Sequence, residues 1–173
     1  MSQKLQKLTI FVISLASGLS NIWIPSAIAQ SPHLPDRAIA QTDDSIAIER
    51  AIHNRINQYR SRNGLSPLRL DERLSQMARS HSEAMADRRV AFGHQGFERR
   101  RKAVQKMMEY SDIAENVAYS GGIQRPTQQA VEVWLNSSSH RANIEGQYDT
   151  TGIGVALSPN GRYYFTQIFV KRR

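Results

Sequence analysis

The sequence has 173 residues, no cysteine and a formal net charge of +8. This length is typical of one domain with a terminal extension, and it is sufficient for a core without disulfides. The missing cysteines exclude a disulfide framework and thiolate catalysis. The compartment must therefore be inferred from the N-terminal residues.

The first 29 residues have the order of a secretory signal peptide. Lys4 and Lys7 precede an apolar run at residues 8–19, and Ala27-Ile28-Ala29 is a small-residue cleavage site. An uncleaved membrane anchor is the alternative, but the run is shorter than the ~20 residues that span a bilayer. We therefore predict a secreted or periplasmic protein that is not an integral membrane protein after cleavage.

Residues 30–45 contain prolines and show no helical or strand period, which predicts a flexible linker. The folded domain is then expected to cover residues 46–173. Its first helix has N-cap candidates at residues 43–45 and apolar residues at helical spacing up to Asn63-Gly64.

A second helix is expected after Asp71, which can cap its N-terminus. His81 falls on the apolar face of this helix. A hydrogen-bonded core histidine is the favoured interpretation there, and a ligand role is the alternative. The apolar stripe consists of Leu74, Met77, Ala78, His81 and Met85.

A loop at residues 90–97 holds His94 between Phe92 and Phe97. The amphipathic segment that follows carries four basic residues on its outer face: Arg99, Arg100, Arg101 and Lys102. A solvated face is the favoured interpretation, and contact with an anionic lipid surface or polyanion is the alternative. Nucleic acid is not an expected partner, because the chain is predicted to be exported and the basic run has no interleaved aromatic residues.

The next helix, with Thr127 as its expected cap, buries Trp134 and leads into the serines of residues 137–139 and then His140. A polar turn that caps a short following helix is favoured for these serines over a Ser–His catalytic pair. Two strands follow at residues 151–157 and 162–170, joined through Asn160-Gly161, which is a strong hairpin signal.

The face of the second strand that points inward stays open. Helices followed by a hairpin predict an α+β fold, with helices packed on an antiparallel sheet.

Two histidines and one carboxylate from separate segments, His94, His140 and Glu115, match the ligand types of an open zinc site. Their spacing supplies no helical metal motif, and the common hydrolase and phosphate-loop motifs are absent. The residues alone therefore leave both a metal site and catalysis open.

The chain resembles the CAP superfamily of cysteine-rich secretory proteins, antigen 5 and pathogenesis-related proteins, also called the SCP domain, and is most similar to its short, cysteine-free bacterial branch. The resemblance covers residues 46–170. The pieces that carry it are, in order, Asn57-x-x-Arg60, Gly64-Leu65-x-Pro67-Leu68, Ala78-x-x-His81-Ser82-x-x-Met85-Ala86, Phe92-Gly93-His94, Ala114-Glu115-Asn116-Val117-Ala118, Trp134-Leu135-x-Ser137-x-x-His140-Arg141-x-Asn143-Ile144, Gly152-Ile153-Gly154-Val155 and Phe165-Thr166-Gln167.

The resemblance implies an α-β-α sandwich with a central, mostly antiparallel sheet. It also implies a cleft lined by two histidines and two glutamates, which holds a divalent metal such as zinc in some members. His94, Glu115 and His140 correspond to three of these residues, with the two histidines as metal ligands. Glu98 is the nearest candidate for the second glutamate, although it stands closer to His94 than the pattern implies.

Three functions are consistent with these features. The first is a secreted module that binds a lipid, a sterol-like molecule or a cell-envelope fragment in the cleft. The second is a metal-assisted hydrolase of peptide or cell-wall bonds, in which the histidines hold zinc and Glu115 orients or deprotonates the bound water. The third is a structural envelope protein that binds polyanions through residues 99–102. No convincing nucleophile or protease motif favours the enzyme.

Overall fold

The described part of the chain contains five helices and four strands. It comprises residues 35–122 and 124–173 of a computed structural model, with side chains from residue 44. The predicted signal peptide and the start of the predicted linker lie outside the described residues. The elements are α1 (Pro35–Arg62), β1 (Arg69–Leu70), α2 (Glu72–Ala86), α3 (Phe97–Met107), β2 (Tyr110–Tyr119), α4 (Pro126–Asn136), α5 (Ser138–Glu145), β3 (Thr150–Leu157) and β4 (Tyr163–Arg172).

The strands form one sheet in the order β1-β3-β4-β2. Strand β1 runs parallel to β3, and the other neighbouring pairs are antiparallel. Helices α1, α4 and α5 contact one another beside the sheet, and α2 packs on strands β3 and β4. The predicted α+β fold with helices around a mostly antiparallel sheet is confirmed, and β2 is an edge strand.

The first helix begins earlier than the sequence period suggests. Helix α1 starts at Pro35, so residues 35–45 of the predicted linker are helical. Proline is well tolerated at the first position of a helix, and the chain has no glycine or proline from there to Arg62. The predicted end before Asn63-Gly64 is confirmed. Within the described residues, no helix combines the length and the apolar character needed to cross a membrane.

Helices α2 and α4 differ in how their N-termini are capped. The Asp71 carboxylate accepts hydrogen bonds from the backbone N–H of Arg73 and Leu74, at 3.0 and 3.4 Å, as predicted. Helix α4 instead begins at Pro126, one residue before the predicted Thr127 cap, and follows Arg125 in a left-handed backbone conformation. Proline supplies this start because its fixed φ suits the first helical turn.

Strand β4 contributes side chains to a separate core on each face of the sheet, which settles the question that its sequence left open. Phe165 and Phe169 pack with Trp134 in the core beneath α1, α4 and α5. Ile168, which alternates with them along the strand, packs with Leu74 of α2 in the second core. Alternate side chains of a strand point to opposite faces, so the sheet is the middle layer of an α-β-α sandwich.

Helix α2 approaches strand β3 very closely. A Cβ atom on Gly152 would overlap backbone atoms of Leu74 and Ser75, and one on Gly154 would overlap those of Ala78 and Arg79. These two glycines face α2, while Ile153 between them faces the opposite core. Glycine is required at both positions because there is no space for a side chain between helix and strand.

We expect Gly154→Ala to lower the free energy of unfolding by about 3 kcal/mol, at the upper end of overpacking effects, because backbone rather than a flexible side chain must move. Urea denaturation measures this change. Gly121→Ala is the matched control, since nothing lies within 4 Å of its Cβ position. Equal stabilities for the two variants would contradict the close approach of α2 and β3.

A buried arginine joins the C-terminal part of α1 to the residues after α5. Arg60 is 2% exposed. Its guanidinium donates to the carbonyl oxygens of Ser66, Ile144, Gly146 and Tyr148, at 2.8, 2.5, 3.0 and 3.3 Å. Burial lowers the pKa of Arg60 from its ordinary value. Because these contacts are to carbonyl dipoles, Arg60 stabilises this corner by hydrogen bonding instead of by an ion pair.

Candidate functional site

Two of the predicted site residues are in direct contact, and the third lies close to them. Nδ1 of His94 lies 3.0 Å from Oε1 of Glu115 on edge strand β2. Burial lowers the pKa of His140, and the charge of nearby His94 lowers it further. The structure therefore brings His94, Glu115 and His140 together around β2, although they come from a loop, a strand and helix α5.

Arg100 is a further member of this site that the sequence interpretation missed. Its Nε donates to Oε2 of Glu115 at 2.6 Å, and its Nη2 donates to Oε1 at 2.7 Å. A third bond runs from Nη1 to the carbonyl of Gln95 at 3.0 Å. The Glu115 side chain is 1% exposed, so this two-point pairing neutralises a buried carboxylate.

The prediction that residues 99–102 form one solvated basic face is wrong for Arg100, which is 8% exposed. The helical period contained the signal, because position 100 shares a face of α3 with Phe97 and the buried Val104. Arg101 is engaged too, since it donates to Glu98 at 2.9 Å. Arg99 and Lys102 are exposed, as the favoured prediction of a solvated face expects, and they are the part of the run that stays available for the alternative of an anionic surface.

Glu98 is placed apart from the cluster. It is an exposed residue of α3 whose carboxylate, with the side chain 70% exposed, pairs with Arg101. Arg100, two residues later, points to Glu115. The second acid that the family resemblance implied is therefore not brought into contact with His94, because its helix directs it to solvent.

The partner of His94 determines which ring nitrogen carries hydrogen in the neutral form. An ionised carboxylate only accepts hydrogen bonds, so Nδ1 of His94 is the donor to Glu115. The lone pair is then on Nε2. The His94 side chain is 51% exposed, so this acceptor is available to a ligand at the surface.

His140 is held by its backbone, and its ring has an unused polar atom. The carbonyl of His140 accepts a bond from Nδ2 of Asn116 at 3.0 Å, and Nδ2 of Asn143 donates to Oδ1 of Asn116 at 2.8 Å. Asn116 is fully buried and so fixes α5 against β2. Nδ1 of His140 is buried and has no hydrogen-bond partner among the described residues.

The serine turn does not form the catalytic pair considered above. Ser137 is at the N-cap position of α5, as predicted, although its side chain makes no capping bond. Its hydroxyl lies 3.2 Å from that of Ser139. Because Nδ1 of His140 has no partner in the described part of the chain, no serine is activated through that atom.

His81 is a hydrogen-bonded core residue, as favoured from the sequence. It is 5% exposed, and its Nε2 lies 2.8 Å from the carbonyl of Gly93. This contact anchors the loop immediately before His94 to helix α2. Burial is the main cause that lowers the pKa of His81, and the hydrogen bond to Gly93 and the charge of Glu115 oppose it.

These two lowered pKa values predict that the fold weakens in mild acid. An unfolded histidine has a pKa of about 6.5, so His81 and His140 bind protons more tightly in the unfolded chain. The free energy of unfolding should be constant above about pH 6.5 and should fall as the pH drops below it. Urea denaturation at pH 7.5 and pH 5.5 measures the difference.

His81→Gln is the informative variant for this pH dependence, because glutamine can still donate to the Gly93 carbonyl but does not titrate. It should show a smaller loss of stability between the two pH values than the parent protein. Equal stability of the parent at pH 7.5 and 5.5 would contradict the expectation.

The described residues do not fit a catalytic zinc site. No group of three His, Asp or Glu side chains among them is arranged to hold a metal ion. Both oxygens of Glu115 already accept bonds from Arg100, so a metal ion would have to compete with a buried ion pair for this acid. His94 and His140 supply two nitrogens, whereas catalytic zinc takes three protein ligands.

A cavity of about 550 Å³ adjoins the site at the end of β2. The ring of Phe92, from the His94 loop, meets the ring of Tyr119 edge-on with centroids 5.1 Å apart. Ser137, which precedes α5, also lines the cavity. The lining consists of Tyr119, Gly121, Gln129, Glu132, Val133, Asn136 and Ser137.

Residues 53–169 match the model of the CAP family, the cysteine-rich secretory protein family. The chain is 32% identical over 130 residues to the Bacillus subtilis protein YkwD, and 32% identical over 128 residues to the B. subtilis membrane protein YlbC. Each match covers 72% of this chain, but only 47% of YkwD and 34% of YlbC. The chain thus spans half or less of these relatives.

Solved structures share the fold. An extracellular protein containing an SCP domain from Bacillus anthracis aligns with a TM-score of 0.64 and 24% identity, over 82% of this chain and 45% of that one. An outer surface protein from Borrelia burgdorferi aligns with a TM-score of 0.61 and 21% identity, over 73% of this chain and 94% of that one. At such identities the likeness is one of fold, and function must be argued from the site.

Proposed function

This chain belongs to the cysteine-rich secretory protein family, and we propose that it is an exported binding module for a lipid, a sterol-like molecule or another cell-envelope fragment. The ligand would place a polar group against His94 and His140. Its remaining part would lie along the exposed apolar side chains at the end of β2. Export rests on the signal peptide predicted for residues 1–29.

The observation that carries this proposal is the pairing of the Glu115 carboxylate with Arg100. A hydrolase needs a free base or an activated nucleophile in its cleft. Here Arg100 occupies both oxygens of the acid, and His94 takes a further position on one of them. An acid neutralised in this way acts as a support that orients His94. The cleft is therefore better suited to recognition than to bond cleavage.

The electrostatics of the two imidazoles support the same conclusion. The lowered pKa of His140 keeps its ring neutral at pH 7, and its buried Nδ1 can accept a hydrogen bond or donate one, depending on the tautomer. The His94 side chain is 51% exposed, so its ring can bond a ligand as well. Two imidazoles can recognise a hydroxyl or amide group without requiring a charged ligand.

Native mass spectrometry of the purified protein, mixed with phospholipid, sterol and envelope-glycan fragments, tests the proposal. We expect one of these classes to be retained, and His94→Ala to weaken its binding by about tenfold or more. Gln58→Ala, on the surface of α1 away from the histidine cleft, is the control and should bind as the parent does. Retention of none of the three classes would refute the binding module.

The metal-assisted alternative predicts tight binding of zinc by His94 and His140, and a zinc titration tests it. From the two-nitrogen donor set we expect no stoichiometric binding of zinc at micromolar concentration and pH 7.5. Isothermal titration calorimetry measures this. Tight binding that disappears in both His94→Ala and His140→Ala would overturn this expectation and revive the hydrolase.

The export prediction has its own measurement. The N-terminus of the protein recovered from expressing cells should lie at residue 30, after cleavage at Ala29. Intact-mass analysis determines this position. An intact N-terminus in a membrane fraction would instead support the uncleaved anchor.

A further inference from the structure

We propose that the cavity at the end of strand β2 is a saccharide subsite, with Tyr119 as its stacking platform. The inference rests on the proposed binding function and names the class of envelope ligand as a neutral oligosaccharide. Three observations support it: the composition of the cavity wall, the exposure of its aromatic ring, and a buried acceptor that has no donor.

The cavity wall combines one aromatic ring with planar polar groups. Its volume of about 550 Å³ falls within the range of roughly 300–1,000 Å³ that is typical of small-molecule sites. Tyr119 and Val133 are its apolar side chains, Gly121 contributes only backbone, and the other side chains are amides, a carboxylate and a hydroxyl. A pyranose has an apolar C–H face surrounded by hydroxyl groups, so each part of the sugar finds a matching part of this wall. The polar members are Gln129, Glu132, Asn136 and Ser137.

The aromatic ring is exposed and yet held in place. Among the described residues, the exposed large apolar side chains are Phe92, Tyr119 and Val133, at 50%, 46% and 45%. Phe92 meets the Tyr119 ring edge-on, and the Arg162 guanidinium lies 5.7 Å from its centroid. A ring fixed before binding loses little conformational entropy when a ligand stacks on it, which favours recognition at this place.

Gln129 distinguishes a saccharide from a hydrocarbon chain. Its Nε2 donates to the carbonyl of Gln124 at 3.0 Å, which fixes the orientation of the amide. Its Oε1 is buried and has no partner among the described residues. Buried acceptors are normally satisfied, so an unpaired oxygen on a residue of this wall favours a ligand that brings a donor. A sugar hydroxyl or acetamido N–H can supply one, and an acyl chain cannot.

Two chain segments connect the subsite to the histidines. Phe92, which contacts Tyr119, is two residues before His94 in the same loop. Ser137, in the cavity wall, is three residues before His140. A ligand of two or three sugar units stacked on Tyr119 can therefore extend toward the imidazoles.

Titration of the purified protein with a trimer of N-acetylglucosamine and with a trimer of glucose, followed by NMR, tests the subsite and the role of the acetamido group. We expect one trimer to bind, and Tyr119→Ala and Gln129→Ala each to weaken it at least about tenfold. Tyr119→Phe should bind within about twofold, since the ring is kept. Tyr110→Ala, at the opposite end of β2, is the aromatic control and should leave binding unchanged.

Failure of this subsite and failure of the binding module give different results. Binding of neither trimer, or full affinity in Tyr119→Ala, overturns the saccharide assignment. If phospholipid vesicles then bind in a manner that depends on His94, the module stands with a lipid as its ligand. If vesicles, sterol and glycans including both trimers are all ignored, the proposed function fails as well.

Discussion

Replacing Arg100 with methionine is expected to lower the free energy of unfolding by about 3–5 kcal/mol, because it leaves the Glu115 carboxylate buried without its counter-ion. Glu115 is 1% exposed and receives two bonds from this guanidinium. Chemical denaturation at pH 7.5 measures the loss. The same variant should also change the His94 ring signals in NMR spectra, since the acceptor of its Nδ1–H loses its support.

Two controls separate the buried ion pair from a general effect of lost charge. Arg101→Met removes the neighbouring arginine, whose partner Glu98 is exposed, and should change stability little. The double variant Arg100→Met with Glu115→Leu removes both charges and should recover most of the loss, because a well-packed apolar pair can replace a buried ion pair. A double variant as unstable as Arg100→Met alone would show that packing, and not charge, explains the effect.

Replacing Arg60 with methionine should cost a similar amount, about 4 kcal/mol, for a different reason. Four carbonyl oxygens lose the donor that satisfies them, and each buried acceptor left without a partner costs about 1–3 kcal/mol unless water reaches it. Urea denaturation measures the change. The loss should be accompanied by weaker protection of the α5 amides in hydrogen exchange, since Arg60 binds the end of that helix.

The conservative variant Arg60→Lys distinguishes geometry from charge. Lysine keeps the charge but has one compact donor group where arginine has a planar fork, so it cannot reach all four carbonyls. We expect more than half of the destabilisation to remain. Arg62→Met, two residues later at an exposed position, is the matched control and should be nearly neutral. A stable Arg60→Lys variant would mean that the positive charge alone is sufficient.

Local patterns in the sequence predicted the elements better than their assembly. The Asp71 cap, the buried stripe of α2 and the hairpin through Asn160-Gly161 depend on neighbouring residues, and all three are present. The two-residue strand β1 is too short to produce a pattern. The pairing of β2 with β4 joins residues far apart in the chain, so only the three-dimensional topology reveals β2 as an edge strand.

The site likewise could be predicted in its residue types but not in its assembly. The chemistry of His94, Glu115 and His140 suggested a common cleft, but their arrangement depends on the sheet order. The burial of Arg100 was missed because a run of four basic residues is usually solvated. The prediction followed this rule and not the helical period, which places position 100 on the buried face. Glu98 was considered from its proximity in sequence to His94, yet the turn of α3 directs it away.

Because Gly152 and Gly154 have no side chains, helix α2 lies directly on strand β3, and this limits how far α2 can move. A helix seated directly on strand backbone has no room to slide, and Ser82 of α2 further ties it to the Gly154 carbonyl at 2.9 Å. Helix α2 carries His81, which holds the loop in front of His94. The loop before His94 is therefore held in place by the fold, and a ligand of the proposed site should associate in one fast kinetic phase without a slow rearrangement.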